Sequence, residues 1–113
     1  MPQNTCKKYP DVSIPKANTL KKYGLSQEQW IEILDRQNGV CYICHRLSKT
    51  GRLVTDHEHL PKYKKLPDTL RRNAVRGLLC WTCNHYYVGR GITVDRAKNV
   101  VSYLQEYQQR KII

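Results

Sequence analysis

A small α+β fold is what this sequence predicts, and three observations predict it. Four of its five cysteines fall in two Cys-x-x-Cys pairs, two short apolar strands lie between those pairs, and a capped amphipathic helix flanks them on each side. A length of 113 residues fits one domain. Its core material is modest, with 40% hydrophobic residues and no Phe, so a structural metal would help it fold.

Residues 1–22 carry Pro2, Pro10, Pro15 and several lysines without sustained periodicity. They read as a basic, flexible arm poor in core material, either touching phosphates or simply solvated, and the domain proper is expected over 23–113. Cys6 lies in this arm with no partner cysteine nearby and reads as incidental. Ser26 opens the first clear helix, where its side chain and that of Gln29 can form a reciprocal capping box. Trp30, Ile31, Ile33 and Leu34 supply the apolar stripe, with Glu28, Glu32, Asp35 and Arg36 mostly on the wet side. Asn38-Gly39 ends the helix, because both residues tolerate the left-handed conformation.

Cys41 and Cys44 then form a tight knuckle. Lys49 to Arg52 is a turn, and Leu53 to His57 is a strand. Glu58 to Asn73 reads as a loop with five basic residues and two prolines, and Ala74 to Leu79 is a second strand running into Cys80. A short helix begins near Cys83, Gly89 and Gly91 break the chain, and Thr93 caps a last helix to about Arg110. Val94, Ala97, Val101 and Leu104 form its apolar stripe, with Val100 beside it.

Lysine and arginine number 20 against 9 acidic residues, a formal net charge of +11. That excess attracts polyanions through long-range steering and counterion release, so nucleic acid is the expected partner. No stretch approaches the roughly 20 apolar residues of a membrane span. The polar N-terminus lacks the apolar middle of a signal peptide, so an intracellular, cytoplasmic setting with reduced thiols is expected.

In that setting, paired cysteines point to metal. A two-residue gap lets both sulfurs of a pair face one point, so Cys41, Cys44, Cys80 and Cys83 together form a tetrahedral shell for one zinc ion. The 35 residues between Cys44 and Cys80 exceed the spacing of a simple zinc ribbon. Zinc would therefore staple the knuckle to the start of a helix, with a hairpin inserted between. Four thiolates leave no open position, which makes this metal structural. His45 and His85 each follow a pair and could substitute, but four cysteines make that unnecessary.

The inserted hairpin ends its first strand in Asp56-His57-Glu58-His59. Strand alternation puts His57 and His59 on one face while Asp56 points elsewhere. Asn84 adjoins the last cysteine, at the start of the following helix. An oxygen pair from Asp56 and Asn84 suits a hard divalent cation, magnesium or manganese, and a neutral imidazole nearby could take a proton from water. Spacing alone leaves two readings open: a catalytic group, or a structural Asp–His hydrogen bond.

Several motifs in order carry a resemblance. Tyr23-Gly24-Leu25-Ser26, Gly39-Val40-Cys41-Tyr-Ile-Cys44, Asp56-His57-Glu58-His59 and Val75-Arg76-Gly77-Leu78-Leu79-Cys80-Trp-Thr-Cys83-Asn84 together resemble phage recombination endonuclease VII and its HNH relatives. The resemblance spans about Tyr23 to Gly89, and more weakly the last helix. It implies a ββα-metal, treble-clef-like core beside the four-cysteine zinc, and a DNA endonuclease. It also implies that His57 is the general base, that Asp56 and Asn84 hold the catalytic cation, and that His59 assists at the scissile phosphate. Glu58 departs from the frequent Asp-His-Asp-His pattern at a position with no assigned ligand. Endonuclease VII itself continues into a long helical region that builds an intertwined dimer and a junction-binding surface. With one helix before Ile113, nicking or double-strand cleavage by a phage-encoded enzyme is expected, with branched-junction resolution as the alternative. The chain could be a monomer or a homodimer.

Arg76, Lys62, Lys64, Lys65, Arg71 and Arg72 are the expected phosphate contacts, which position a protein without reading sequence. Tyr63, Trp81, Tyr86 and Tyr87 could stack on bases, but aromatics beside a small zinc site are more often core, and core is the expectation. Two other functions compete. A zinc-stapled nucleic-acid-binding module that cuts nothing would not need Asp56, His57 and Asn84 together. A protein-interaction zinc domain would not need the basic charge.

Overall fold

Two strands and four α-helices carry the chain in a computed structural model that describes residues 7–89 and 91–111. In order they are α1 (Ala17–Leu20), α2 (Gln27–Arg36), β1 (Val54–His57), α3 (Asp68–Asn73), β2 (Val75–Leu79) and α4 (Val94–Lys111). Short 3-10 turns lie at Lys21–Tyr23 and Tyr63–Lys65, and a π-helical segment at Cys83–Val88. The fold is a small α+β arrangement with one two-stranded antiparallel sheet.

The local signals act as expected around α2. The Ser26 hydroxyl accepts from the Gln29 backbone N–H at 3.1 Å, and the Gln29 side chain accepts from the Ser26 N–H at 2.8 Å. These bonds satisfy two of the free amides at the helix start. Asn38 and Gly39 both turn left-handed at φ 58° and 76° to end it. Gly39 also packs against the Tyr9 ring, where a Cβ would collide. Trp30 and Leu34 are fully buried, and the Trp30 indole N–H donates to the Thr55 hydroxyl at 3.0 Å, which ties α2 to β1.

A second tie comes from Gln37, which is buried just past α2. Its amide donates to the Leu78 carbonyl at 2.8 Å and accepts from the Leu78 N–H at 2.9 Å, so it acts like a third strand against β2. Replacing it (Gln37→Leu) would leave a buried backbone N–H unpaired. A loss of about 1–3 kcal/mol is expected, read as a lower urea midpoint at unchanged slope.

Val54 pairs with Leu79, Thr55 with Leu78 and Asp56 with Gly77, but His57 pairs with Val75. Arg76 is thus the extra residue of a β-bulge in β2. Bulges re-aim side chains and are frequent beside functional sites.

Three expectations are corrected. The start of the basic arm, Cys6 included, lies outside the described residues. The rest of it is not poor in core material: Val12 and Leu20 are buried with Leu25, Trp30, Leu34, Leu53, Leu78 and Leu79. Ser13 donates its N–H to the Gly51 carbonyl at 2.7 Å, fastening this segment to the turn before β1. The arm's apolar residues were too sparse to show a period, and only tertiary packing gathers them. Likewise the loop over 58–73 contains α3, a short helix with no buried residue, so it had no apolar stripe to read. It docks on the turn at Gly24, whose carbonyl accepts from Arg72 Nε at 2.8 Å. Finally, α4 forms where Thr93 caps it, the hydroxyl accepting from the Arg96 N–H at 3.1 Å, yet every residue of it is exposed. Its stripe of Val94, Ala97, Val101 and Leu104 covers no core. The radius of gyration of 16.5 Å reflects this protruding helix, since a compact chain of this length would be near ~13 Å.

Candidate active site and metal centre

The knuckle after α2 and the segment after β2 bring Cys41, Cys44, Cys80 and Cys83 together, with their sulfurs all within 4.8 Å of one another. The Cys44 and Cys80 sulfurs are 3.9 Å apart. Zinc–sulfur bonds of about 2.3 Å in a tetrahedron put ligand sulfurs about 3.8 Å apart, so the four residues fit one such ion. The knuckle is held by its backbone: Cys41 donates its N–H to the Arg46 carbonyl at 3.1 Å, and Tyr42 donates to Leu78 at 3.2 Å. Burial pushes the Cys41 thiol up, but backbone N–H groups of Cys44, Cys80 and Ile43 outweigh it and bring its pKa from 9.0 to about 7. Burial, then the neighbouring thiols of Cys80, Cys41 and Cys44, hold Cys83 well above the usual thiol range. The cluster is positioned to hold a metal ion, and its all-sulfur donor set suits zinc with no position left for substrate.

The second cluster stands at the end of β1. Asp56 is buried, 7% exposed, and His57 is half-buried beside it. The His57 and His59 rings lie 4.8 Å apart between centroids, with His59 just past the end of β1. Two tyrosines complete the seat of the imidazole, Tyr63 at 4.5 Å and Tyr23 at 5.4 Å. Tyr63 in turn donates its hydroxyl to the Arg71 carbonyl at 3.3 Å, which anchors the ring to α3. Tyr23 was not singled out as a site residue from the sequence, because it lies 34 positions before His57 and only the docking of α3 on the Gly24 turn draws the two together. Burial lowers the His57 pKa from 6.5. The nearby His59 lowers it further, and Asp56 offsets part of the effect. The net shift favours the neutral form of the imidazole.

No bond between Asp56 and the imidazole uses the carboxylate. Both of its oxygens accept from Arg76 instead, Oδ2 from Nε at 2.7 Å and Oδ1 from Nη2 at 3.0 Å. This pair lines a cleft of about 270 Å³, walled also by Tyr42, Ile43, Leu79 and Val88. A second cleft, of about 560 Å³, runs between His59 and the start of α4 and is also bordered by Arg76. Asn84 lies half-buried in the segment Cys83–Val88, where its carbonyl accepts from the Gly89 N–H at 3.0 Å.

Among the expected phosphate contacts, Lys62, Lys64 and Lys65 are exposed and carry no ion pair among the described residues. The three arginines are engaged within the chain. Arg71 pairs with Asp68, Arg72 donates to the Gly24 carbonyl, and Arg76 pairs with Asp56. Of the four aromatics expected in the core, Tyr63 is half-buried and the other three are exposed. Trp81 is 59% exposed, Tyr86 67% and Tyr87 64%. Trp81 stacks on His85 at 4.6 Å.

The sequence pattern of recombination endonuclease VII matches residues 16–107. The chain belongs to the recombination endonuclease VII family. Among relatives, it is 34% identical over 89 residues to the Gene 59 protein of Mycobacterium phage D29, covering 77% of this chain and 47% of that one. Against the Gene 59 protein of Mycobacterium phage L5 it is 38% identical over 87 residues, covering 75% of this chain and 46% of that one. The chain thus spans about half the length of these relatives. No solved structure matches it. Among the described residues, no helix is long and apolar enough to cross a membrane.

Proposed function

We propose that this chain is a metal-dependent DNA endonuclease with an HNH-type, ββα-metal active site. In this reading β1, β2 and the segment Cys83–Val88 form the ββα unit, and structural zinc on the four cysteines keeps its parts in register. His57 acts as general base, taking the proton of the attacking water, a task for which a neutral, oriented imidazole is suited. His59 assists at the scissile phosphate. Asp56 and Asn84 offer hard oxygen donors to magnesium or manganese. When bound, that cation would stabilise the charge growing on the phosphate and on the leaving 3′ oxygen. Lys62, Lys64 and Lys65 hold backbone phosphates and give affinity without sequence choice.

The observation that supports this most is the seat of His57. A half-buried imidazole with a depressed pKa stands beside a buried carboxylate and a second histidine, in a chain of this family with a net charge of +11. The test is supercoiled plasmid incubated with zinc-loaded protein, with and without magnesium or manganese. Nicked or linear DNA is expected only with the added cation, and Asp56→Asn should abolish it. Tight DNA binding with no cutting under any of these conditions would mark the non-catalytic binding module instead.

A further inference from the structure

Asp56 is nearly sealed from solvent, and a buried carboxylate without a partner is costly. The bulge in β2 supplies one by turning Arg76 out of the strand ladder onto both carboxylate oxygens. The Arg76 side chain is nevertheless 38% exposed, so it is free to leave. It also borders both clefts, the one that opens onto Asp56 and the one beside His59. Its charge is permanent, and its planar fork fits a phosphate as well as a carboxylate.

We propose that Arg76 is a positioning residue that occupies the cation seat at Asp56, is displaced by a divalent cation, and then takes a DNA phosphate in the cleft beside His59. This rests on the reading of Asp56 as a cation ligand. Without DNA, the cation must break a bidentate ion pair and leave the guanidinium unpaired. With DNA present, a phosphate receives that guanidinium. Cation and DNA therefore bind with positive coupling, each favouring the other by the same factor. The arrangement keeps Asp56 compensated when the site is idle and favours loading the cation once the substrate backbone has arrived.

The test measures manganese binding to the zinc-loaded protein by calorimetry, with and without a DNA duplex carrying non-cleavable phosphorothioate linkages. In the unaltered protein, DNA is expected to tighten manganese binding about tenfold, within the usual range of such coupling. In Arg76→Gln, manganese should bind about tenfold more tightly than in the unaltered protein when DNA is absent, and DNA should tighten it no further. The dependence of DNA affinity on salt should also fall by about one phosphate contact. Arg76→Lys, which keeps the charge without the fork, should lie between the two and guards against a folding defect in the glutamine variant. Manganese affinity in Arg76→Gln that is equal to or weaker than in the unaltered protein overturns the proposal. Asp56→Asn separates the two failures. If it binds manganese at full strength, Asp56 is no cation ligand and that reading fails first. If it loses manganese while Arg76→Gln gains nothing, only the exchange is wrong.

Discussion

Cys80→Ala is expected to remove the metal and the native fold together. Cys80 joins the end of β2 to the helical segment Cys83–Val88, and its sulfur accepts from the Cys83 backbone N–H at 3.4 Å and lies 3.9 Å from Cys44. Cys41 and Cys83 are themselves core residues, packed with Trp30, Leu34 and Leu78. Losing the ion would therefore open the centre of the molecule. Structural zinc contributes on the order of 10–16 kcal/mol of binding free energy in small zinc domains, which matches or exceeds the whole stability of a typical domain. The unaltered protein should retain one zinc per chain after dialysis, by elemental analysis. The variant should lose it to a mild chelator, together with its near-ultraviolet circular dichroism and cooperative thermal transition. A metal-stripped wild-type protein with an unchanged melting curve would show that the apolar core suffices and that the cysteine cluster is not a staple.

His57→Ala should leave the fold and abolish cutting. Removing a general base typically costs about 10²- to 10⁴-fold in rate. The imidazole sits between the rings of Tyr63, Tyr23 and His59, so its loss leaves a gap at the half-buried surface and a melting temperature lowered only modestly. This pair of measurements separates the two readings that spacing leaves open for the Asp56-His57 pair. A structural Asp–His contact predicts a large fall in stability with cleavage per folded molecule intact. A base predicts the reverse. The geometry already disfavours the structural contact, since Arg76 takes both oxygens of Asp56. Plasmid cleavage at wild-type rate by folded His57→Ala would remove His57 from the chemistry.

How much of this was legible beforehand depended on how far apart in the chain the cooperating residues lie. The capping box at Ser26 and Gln29, the left-handed stop at Asn38-Gly39, the cap at Thr93 and the two cysteine pairs all act over two to four residues. Backbone geometry fixes what such neighbours do to one another. His57 and His59 also meet over a short span, although β1 ends at His57 and His59 lies just beyond it. α3 escaped notice because nothing in it is buried, and a helix without an apolar stripe leaves no periodic trace. The exposed rings of Trp81, Tyr86 and Tyr87 escaped for a different reason. Aromatic residues beside cysteines look like core in any one-dimensional reading, and only tertiary packing determines which of them stay wet.

By itself, then, the sequence determined the α+β class, the ends of its main helices, the four cysteines positioned to hold a metal and the Asp-His-x-His motif at the close of β1. The tertiary structure alone decided that Val12 and Leu20 belong to the core, that two tyrosines seat His57, that Arg76 bulges onto Asp56 and that the apolar stripe of α4 covers nothing. The reason is physical. Caps, turns and knuckles close over short spans with little competition. A guanidinium 20 residues from its carboxylate can choose among many partners, and burial of the carboxylate, which depends on the whole chain's packing, decides the outcome.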